Sequence, residues 1–361
     1  MESWFEIENI ENLNTPSLVF FRQTIEQNID EAIKSVKGDV SRLRPHIKTF
    51  KCGNILEIFK QKGIEKVKTA TIEETLLAAE LGIKDVLFAY QPNGQKALDF
   101  IAIIKKCQNT VFSTLLDNLS TASELNELAI KNKISIDYFI DINAGMNRTG
   151  FAIEADIEGF LNDLFKFSNL KFRGFHLYDG HLKGLDFEQR TESCLGNYEK
   201  LKNIKLSNPS TFEIAAGGTN TFLFYAKNTD AICCPGTFVL WDDNYDIHLP
   251  ELSFQQAAIV IGQVVSKPCP DLVCVDIGYK AISSENDINH RLRILNFPSL
   301  VPFSHSEEHL VLKNEELIDI PIGTIVYAQP YHICPTVALY NVANVVNEHG
   351  VITEQWNIKR R

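Results

Sequence analysis

The sequence contains no long Lys/Arg-rich tract, and its 35 basic side chains are outnumbered by 46 acidic ones, for a net charge of -11. A chain of that sign has nothing with which to neutralise a run of phosphates, so nucleic acid is not an expected partner. Long hydrophobic runs are also missing. The longest, residues 257–265, is broken by Gln263 and falls well short of the ~20 apolar residues that cross a bilayer. No basic segment followed by an apolar one accompanies the start Met1-Glu2-Ser3-Trp4, so the cytoplasm is the expected location and no membrane association is expected. The eight cysteines, at positions 52, 107, 194, 233, 234, 269, 274 and 334, form no CxxC pair and no repeating framework. Reduced thiols are therefore expected, not a disulfide scaffold. Internal repeats and low-complexity linkers are absent as well.

What is present is an ordinary globular composition, 45% hydrophobic and 22% charged, over 361 residues. That length predicts one large domain and a smaller one. A helix is predicted over residues 23–37, where Ile25, Ile29, Ala32, Ile33 and Val36 share a face and Thr24 with Gln27 forms a candidate capping box. Strand candidates follow at 40–44, 67–70, 86–90, 111–116, 136–142, 172–178, 212–216 and 231–233. Helix-start signatures stand at Thr71 to Glu74 and Thr121 to Glu124. Repeating strand–helix units of this number predict a (β/α)8 TIM-like barrel, although a doubly wound open sheet has the same periodicity. Beyond about residue 250 the helices fade, and 257–265, 272–276, 308–312, 323–328, 338–345 and 351–356 read as strands. The expected division is a barrel over 20–248 and a β-rich domain formed by 1–19 and 249–361.

Arg44-Pro45-His46-Ile47-Lys48-Thr49 falls at the C-terminal end of the first strand candidate, where barrel enzymes place their chemistry. A surface basic cluster is the competing reading. A lysine held in a barrel mouth can form a Schiff base, its amine freed by desolvation or by neighbouring positive charge, to which Arg44 and His46 would contribute. Two glycine-containing loops, Gly217-Gly218-Thr219 after the seventh strand candidate and Gly236-Thr237 after the eighth, could let backbone N–H groups approach a phosphate. Each alone is an ordinary turn. Tyr178 ends the sixth candidate, where its ring could stack and its phenol hydrogen-bond, and Arg148 could neutralise an anionic oxygen such as a carboxylate; a structural tyrosine and a routine salt bridge are the alternatives. His181 is a candidate for the substrate pocket. His332 and Cys334, two apart in a segment read as extended, would point to one face and could close on one ion. Imidazole and thiolate favour zinc, and two protein ligands leave positions open for water or substrate.

Taken together these motifs resemble the D-threonine aldolase and D-serine dehydratase family of pyridoxal-phosphate enzymes, which has an alanine-racemase-like fold. The resemblance rests on Arg44 to Thr49 (RPHxKT), Asn14-Thr15-Pro16-Ser17-Leu18, the segment DINAGMNRTG from Asp141 to Gly150, and His332-Ile333-Cys334-Pro335-Thr336. It implies that Lys48 is the Schiff-base lysine. It further implies that His46, Arg148, Tyr178, Gly217, Gly218, Thr219, Gly236 and Thr237 surround pyridoxal 5'-phosphate. His332 and Cys334 would bind a divalent metal, zinc by donor chemistry. Phe50 departs from the histidine often found two residues beyond the lysine. Asp276 to Lys280 and Ser306 to His309 resemble family segments near the active site, but no catalytic role is assigned to them.

The function implied is a metal-dependent lyase on a D-β-hydroxy amino acid, first a D-threonine-aldolase-like cleavage to glycine and acetaldehyde. Dehydration of the D-serine type, to an α-keto acid and ammonia, is the alternative that Cys334 favours. An amino acid racemase or a non-catalytic pyridoxal-phosphate-binding protein ranks lower. The resemblance also implies a homodimer.

Overall fold

The computed structural model describes residues 4–182, 184, 186–205 and 211–360. The chain forms two compact units. The first comprises the described residues up to Glu31 with Thr49–Cys52 and Thr237–Arg360, and the second comprises Ala32–Lys48 and Gly53–Gly236. In chain order the strands are β1 (Ser17–Phe21), β2 (Lys66–Thr69), β3 (Asp85–Phe88), β4 (Val111–Leu116), β5 (Ile136–Asn143), β6 (Phe151–Ala152), β7 (Leu170–Leu177), β8 (Glu213–Ala216) and β9 (Ile232–Cys233). They continue as β10 (Ala258–Cys269), β11 (Leu272–Val275), β12 (Leu292–Ile294), β13 (Val301–His305), β14 (Leu310–Lys313), β15 (Ile325–Pro330), β16 (Val342–Val346) and β17 (Ile352–Asn357).

The second unit is a parallel sheet in the order β2-β3-β4-β5-β7-β8-β9, with the short β6 alongside β5. The predicted first strand, 40–44, is not one. Val40–Arg42 form a 3-10 turn capped by Asp39, and the eighth stave is made by single bridges, Leu43 to Cys233 on one side and His46 to Lys68 on the other. Arg44 N donates to Cys233 O at 2.8 Å, and Lys68 N donates to Pro45 O at 2.9 Å. Pro45, which has no N–H, breaks the ladder that a regular strand would need. The other seven predicted barrel strands are found within a few residues of their expected bounds.

Side chains fill the interior in layers, as in parallel barrels. At the N-terminal ends of the strands lies an ionic layer in which Arg44 and Arg173 share Asp85 and Glu213. Above it Leu87, Leu115, Phe139, Ala215 and Cys234 pack together. The next layer toward the C-terminal ends contains Lys68, Asp141 and His176.

Helix ends explain two differences from the sequence reading. The first long helix is Arg22–Ser35, so Thr24 and Gln27 lie inside it and form no cap. Likewise Asn118, not Thr121, caps Leu119–Asn132. Thr71 does cap Ile72–Glu80, accepting from Glu74 N at 3.1 Å, while Glu74 reaches back to Ala70 N at 2.7 Å.

In the first unit a nine-stranded sheet has the path β13-β14-β11-β10-β1-β16-β17, with β15 joining β10 to β12. All six predicted β-rich strands are present, whereas β1, β12 and β13 have no counterpart among the predicted strands. β1 (SLVFF) lies between β10, antiparallel, and β16, parallel. Its Val19 and Phe21 pack with Ile7, Ile259, Ile261 and Val346, which is why this continuous apolar strand sits mid-sheet. All eight cysteines are free. Among the described residues no helix is long and apolar enough to cross a membrane.

Candidate active site

Lys48 lies in the 3-10 turn Ile47–Thr49 just beyond the eighth stave, with Nζ 6.0 Å from the centre of the Tyr178 ring. Tyr178 follows β7 directly. Arg148 approaches the same ring, its guanidinium carbon 4.9 Å from the centre. Predicted residues from the first, fifth and sixth expected strands thus converge at one end of the barrel.

The loop that carries Arg148 is shaped by its own polar residues. Asn143 Oδ1 accepts from Gly145 N at 3.2 Å and Asn147 N at 3.0 Å. Thr149 donates to Asp141 Oδ2 at 2.9 Å, and Gly150 N donates to Asp117 at 3.0 Å. Gly150 has φ +107°, and a Cβ there would stand 2.5 Å from Asn143 N, so the return of the loop against β5 requires glycine. His181 lies against this loop, its Nε2 3.0 Å from where a Cβ on Gly145 would be.

His46 is fixed behind the lysine turn. Its Nδ1 lies between Lys68 O at 3.0 Å, a contact that needs the ring proton on Nδ1, and Lys48 N at 3.4 Å, a longer one that needs its lone pair. Burial, reinforced by the positive charges of Lys48 and Lys68, holds its pKa well below the ordinary histidine value. Arg44 does not supply the field expected of it. It is fully buried and engaged with Asp85 through two hydrogen bonds of 2.7 and 3.0 Å, so its charge is compensated at the opposite end of the barrel.

The glycine loop after β8 meets the turn after β9. Thr219 Oγ1 accepts from Gly236 N at 3.1 Å, and Gly217 N donates to Leu177 O at 2.8 Å. A Cβ on Gly218 would stand 3.1 Å from Tyr178 Cε2 and 3.0 Å from Asn220 Oδ1, so the loop lies close against that ring. Asp179 anchors the loop from beneath, accepting from Thr221 at 2.6 Å and Tyr225 at 2.9 Å. Burial raises its pKa despite these donors. Thr237 opens the 3-10 turn Thr237–Val239 in the other unit.

The sequence reading overlooked Lys68, His176 and Asp141. Lys68 is only 2% exposed, and its Nζ lies 5.7 Å from the Tyr178 ring centre and 3.5 Å from His176 Nε2. His176 Nδ1 lies 2.8 Å from Asp141 Oδ1. Burial alone would raise the Asp141 carboxyl, but hydrogen bonds from His176, Thr149 and Gln91 hold it below its ordinary value. Burial lowers both His176 and Lys68.

In the first unit His332 and Cys334 do not lie in an extended segment. His332 is the N-cap of a short helix, Ile333–Val337, whose first turn contains Cys334 and Pro335. The two side chains nevertheless meet in a hydrogen bond. Cys334 Sγ also lies 3.2 Å from Thr49 Oγ1 and 3.5 Å from Thr237 Oγ1. Glu285 pairs with His332 Nδ1. Burial opposes charging of the His332 imidazole, but Cys334, Asp242 and Glu285 raise its pKa to about 9. Asp242, pushed up to about 6 by burial, accepts from Ile333 N at 3.0 Å and so anchors the helix start. Among the described residues no group of three or more His, Cys, Asp and Glu side chains is placed to hold a metal ion. Two donors brought together fit an open two-ligand site and not a closed structural one.

The segments 276–280 and 306–309 pack on each other: Tyr279 N donates to Ser306 O at 2.9 Å, and Lys280 pairs with Glu307 and Glu308. Asp276 accepts from Gln263 N and Thr15 Oγ1, both at 2.6 Å, which ties it to the sheet.

A parallel barrel with a lysine at its C-terminal mouth, joined to a β-sheet unit, defines the class. The chain belongs to the alanine racemase N-terminal domain family, which matches residues 22–239. A second family, described as "Putative serine dehydratase domain", matches residues 257–346. The chain is 24% identical to a D-threonine aldolase of Arthrobacter sp over 97% of its length and 93% of the relative's. It is 22% identical to a D-serine dehydratase of Dictyostelium discoideum, over 96% of each. The crystal structure of D-threonine aldolase from Filomicrobium marinum superposes with a TM-score of 0.86 at 21% identity, covering 99% of this chain and 98% of that one. The architecture is the alanine-racemase-like fold.

Proposed function

We propose that the chain is a pyridoxal-phosphate-dependent lyase of D-β-hydroxy amino acids that cleaves D-threonine to glycine and acetaldehyde. The observation that carries this reading is the convergence of Lys48 and Arg148 on the Tyr178 ring, with Gly218 close against it. The residues present fit the cofactor: a cradle that a Cβ would fill, a lysine beside it and a cation at its edge. When bound, pyridoxal phosphate supplies a carbonyl for an amine and an electron sink for the bonds at Cα.

Lys48 Nζ would bind the cofactor and, as a free amine, would take a Cα proton only in a dehydration; in the cleavage a metal-bound or histidine-linked base would take the β-hydroxyl proton. Arg148 would neutralise the cofactor's phenolate oxygen or the substrate carboxylate. Tyr178 would present its ring and phenol to the pyridine, while neutral His46 backs the lysine turn. Gly217, Gly218, Thr219, Gly236 and Thr237 would receive the phosphate. His332 and Cys334 would hold a divalent ion, zinc by donor chemistry, which would supply Lewis acidity. We further propose a homodimer, which light scattering on the purified protein tests.

A second reading, dehydration of D-serine to pyruvate and ammonia, is favoured by Cys334 and by the serine dehydratase match over the segment that contains it. Product analysis on protein loaded with pyridoxal phosphate and zinc separates the two. Glycine with acetaldehyde from D-threonine supports cleavage; pyruvate with ammonia from D-serine, and no cleavage, replaces it with dehydration.

A further inference from the structure

Lys68 is a buried ammonium whose hydrogen-bonding capacity is largely unspent. An ammonium has three N–H donors, yet among the described residues Lys68 Nζ has one acceptor, His176 Nε2 at 3.5 Å, and no ion pair. The tautomer of that acceptor is fixed. Asp141 accepts from His176 Nδ1 at 2.8 Å, which leaves the lone pair of Nε2 facing the lysine.

Among the described residues no carboxylate contacts Lys68 Nζ, although the charges of Asp179 and Asp141 act on it through space. Asp141 is committed to His176, Gln91 and Thr149, and Asp179 accepts from Thr221, Tyr225 and Cys194. The other ionisable groups that act on Lys68 or its neighbours His46 and His176 are Lys48, Arg148 and Cys234. A buried ammonium with no carboxylate in contact is stabilised when an anion arrives within hydrogen-bonding reach. Lys68 shares the Tyr178 ring with Lys48 and Arg148, at 5.7, 6.0 and 4.9 Å from its centre, so the missing anion belongs at that ring.

We infer that Lys68, oriented by the His176–Asp141 pair, is a positioning residue for the cofactor and donates to its phenolate oxygen. This rests on the proposed pyridoxal-phosphate site, and assigns that site a second cation besides Arg148. No bond is made or broken by Lys68; its proton stays on Nζ.

The test compares pyridoxal phosphate affinity, by equilibrium dialysis, in a Lys48→Ala background where binding is non-covalent. Adding Lys68→Met weakens binding by about tenfold or more, and Lys68→Arg recovers most of the loss. In protein that retains Lys48, Lys68→Met shifts the visible band of the bound cofactor, whereas Lys68→Arg leaves it near the wild-type position. The cofactor-free Lys68→Met protein melts at the same or a higher temperature than wild type, because an uncompensated charge has been removed. If that variant does not fold, Lys68→Gln carries the same affinity and band expectations. Equal affinities with an unmoved band overturn the inference, as does a rise in amino acid KM with both unchanged, which would place Lys68 on the substrate. Failure of wild type to bind pyridoxal phosphate overturns the underlying reading and the inference with it.

Discussion

Arg44 and Lys68 are both inside the barrel, 0% and 2% exposed, and their surroundings could hardly differ more. Arg44 meets Asp85 in a two-pronged contact, Arg173 meets the same carboxylate at 3.2 and 2.8 Å, and Glu213 completes the layer. Those hydrogen bonds hold the Asp85 carboxyl far below the usual carboxylate range even though burial alone would raise it. At the other end, Lys48, Lys68 and Arg148 gather on one tyrosine, and none of the three makes an ion pair among the described residues. Compensated charge at the N-terminal ends closes the barrel; uncompensated charge at the C-terminal ends leaves room for an anionic ligand. This is the division of labour that parallel barrels use, stability at one face and chemistry at the other.

That contrast fails if substitutions at the two ends have interchangeable effects. Lys48→Ala is expected to lower turnover on the order of a thousandfold or more while leaving the urea midpoint near wild type, as steady-state kinetics and a denaturation curve will show. Asp85→Asn is the converse, with cofactor affinity kept and stability reduced by roughly 3 kcal/mol, because fully buried Arg44 and half-buried Arg173 lose one of the two anions they share. The sign of its pH dependence is fixed. Since the folded-state pKa is depressed, the wild-type advantage is complete above about pH 4 and is lost as pH falls through the folded value; urea melts of both proteins over an acid series measure it.

A chelator is expected to reduce turnover by about tenfold to a hundredfold, with zinc restoring it. Unchanged activity in metal-free protein, verified by elemental analysis, would reduce His332, Cys334 and Glu285 to a hydrogen-bonded structural cluster. The smallest effect is expected at the cradle. Gly218→Ala makes the Tyr178 ring yield by a few tenths of an ångström, at a cost of about 1 kcal/mol, or roughly fivefold in cofactor affinity. A fluorescence titration with pyridoxal phosphate resolves that difference.

The alternation of strand and helix was legible because seven of the staves are regular and apolar. The eighth was misread as a strand over 40–44 because its apolar ends hide a 3-10 turn and a proline. Lys68 escaped notice for a different reason. In the sequence Lys66-Val67-Lys68-Thr69 the two lysines alternate with smaller residues, the pattern of a solvated face on an antiparallel strand. A strand in a parallel barrel has no such face, since one side meets the helices and the other the interior, so a lysine in mid-strand was itself the signal. Thr69 bonds outward to Thr75 at 2.7 Å, which turns Lys68 inward. Arg148 and Tyr178 stand out in the sequence because both come just past strand ends, where position alone suggests chemistry. The His332 segment was read as extended, although Pro335 suits the first turn of a helix equally well.

The central claim, that the uncompensated end binds pyridoxal phosphate through one particular amine, is open to a single direct measurement. Wild-type protein is mixed with pyridoxal phosphate, reduced with borohydride, digested and mapped by mass spectrometry. The account predicts one phosphopyridoxyl group, on Lys48. A label on Lys68, or no label at all, would contradict it.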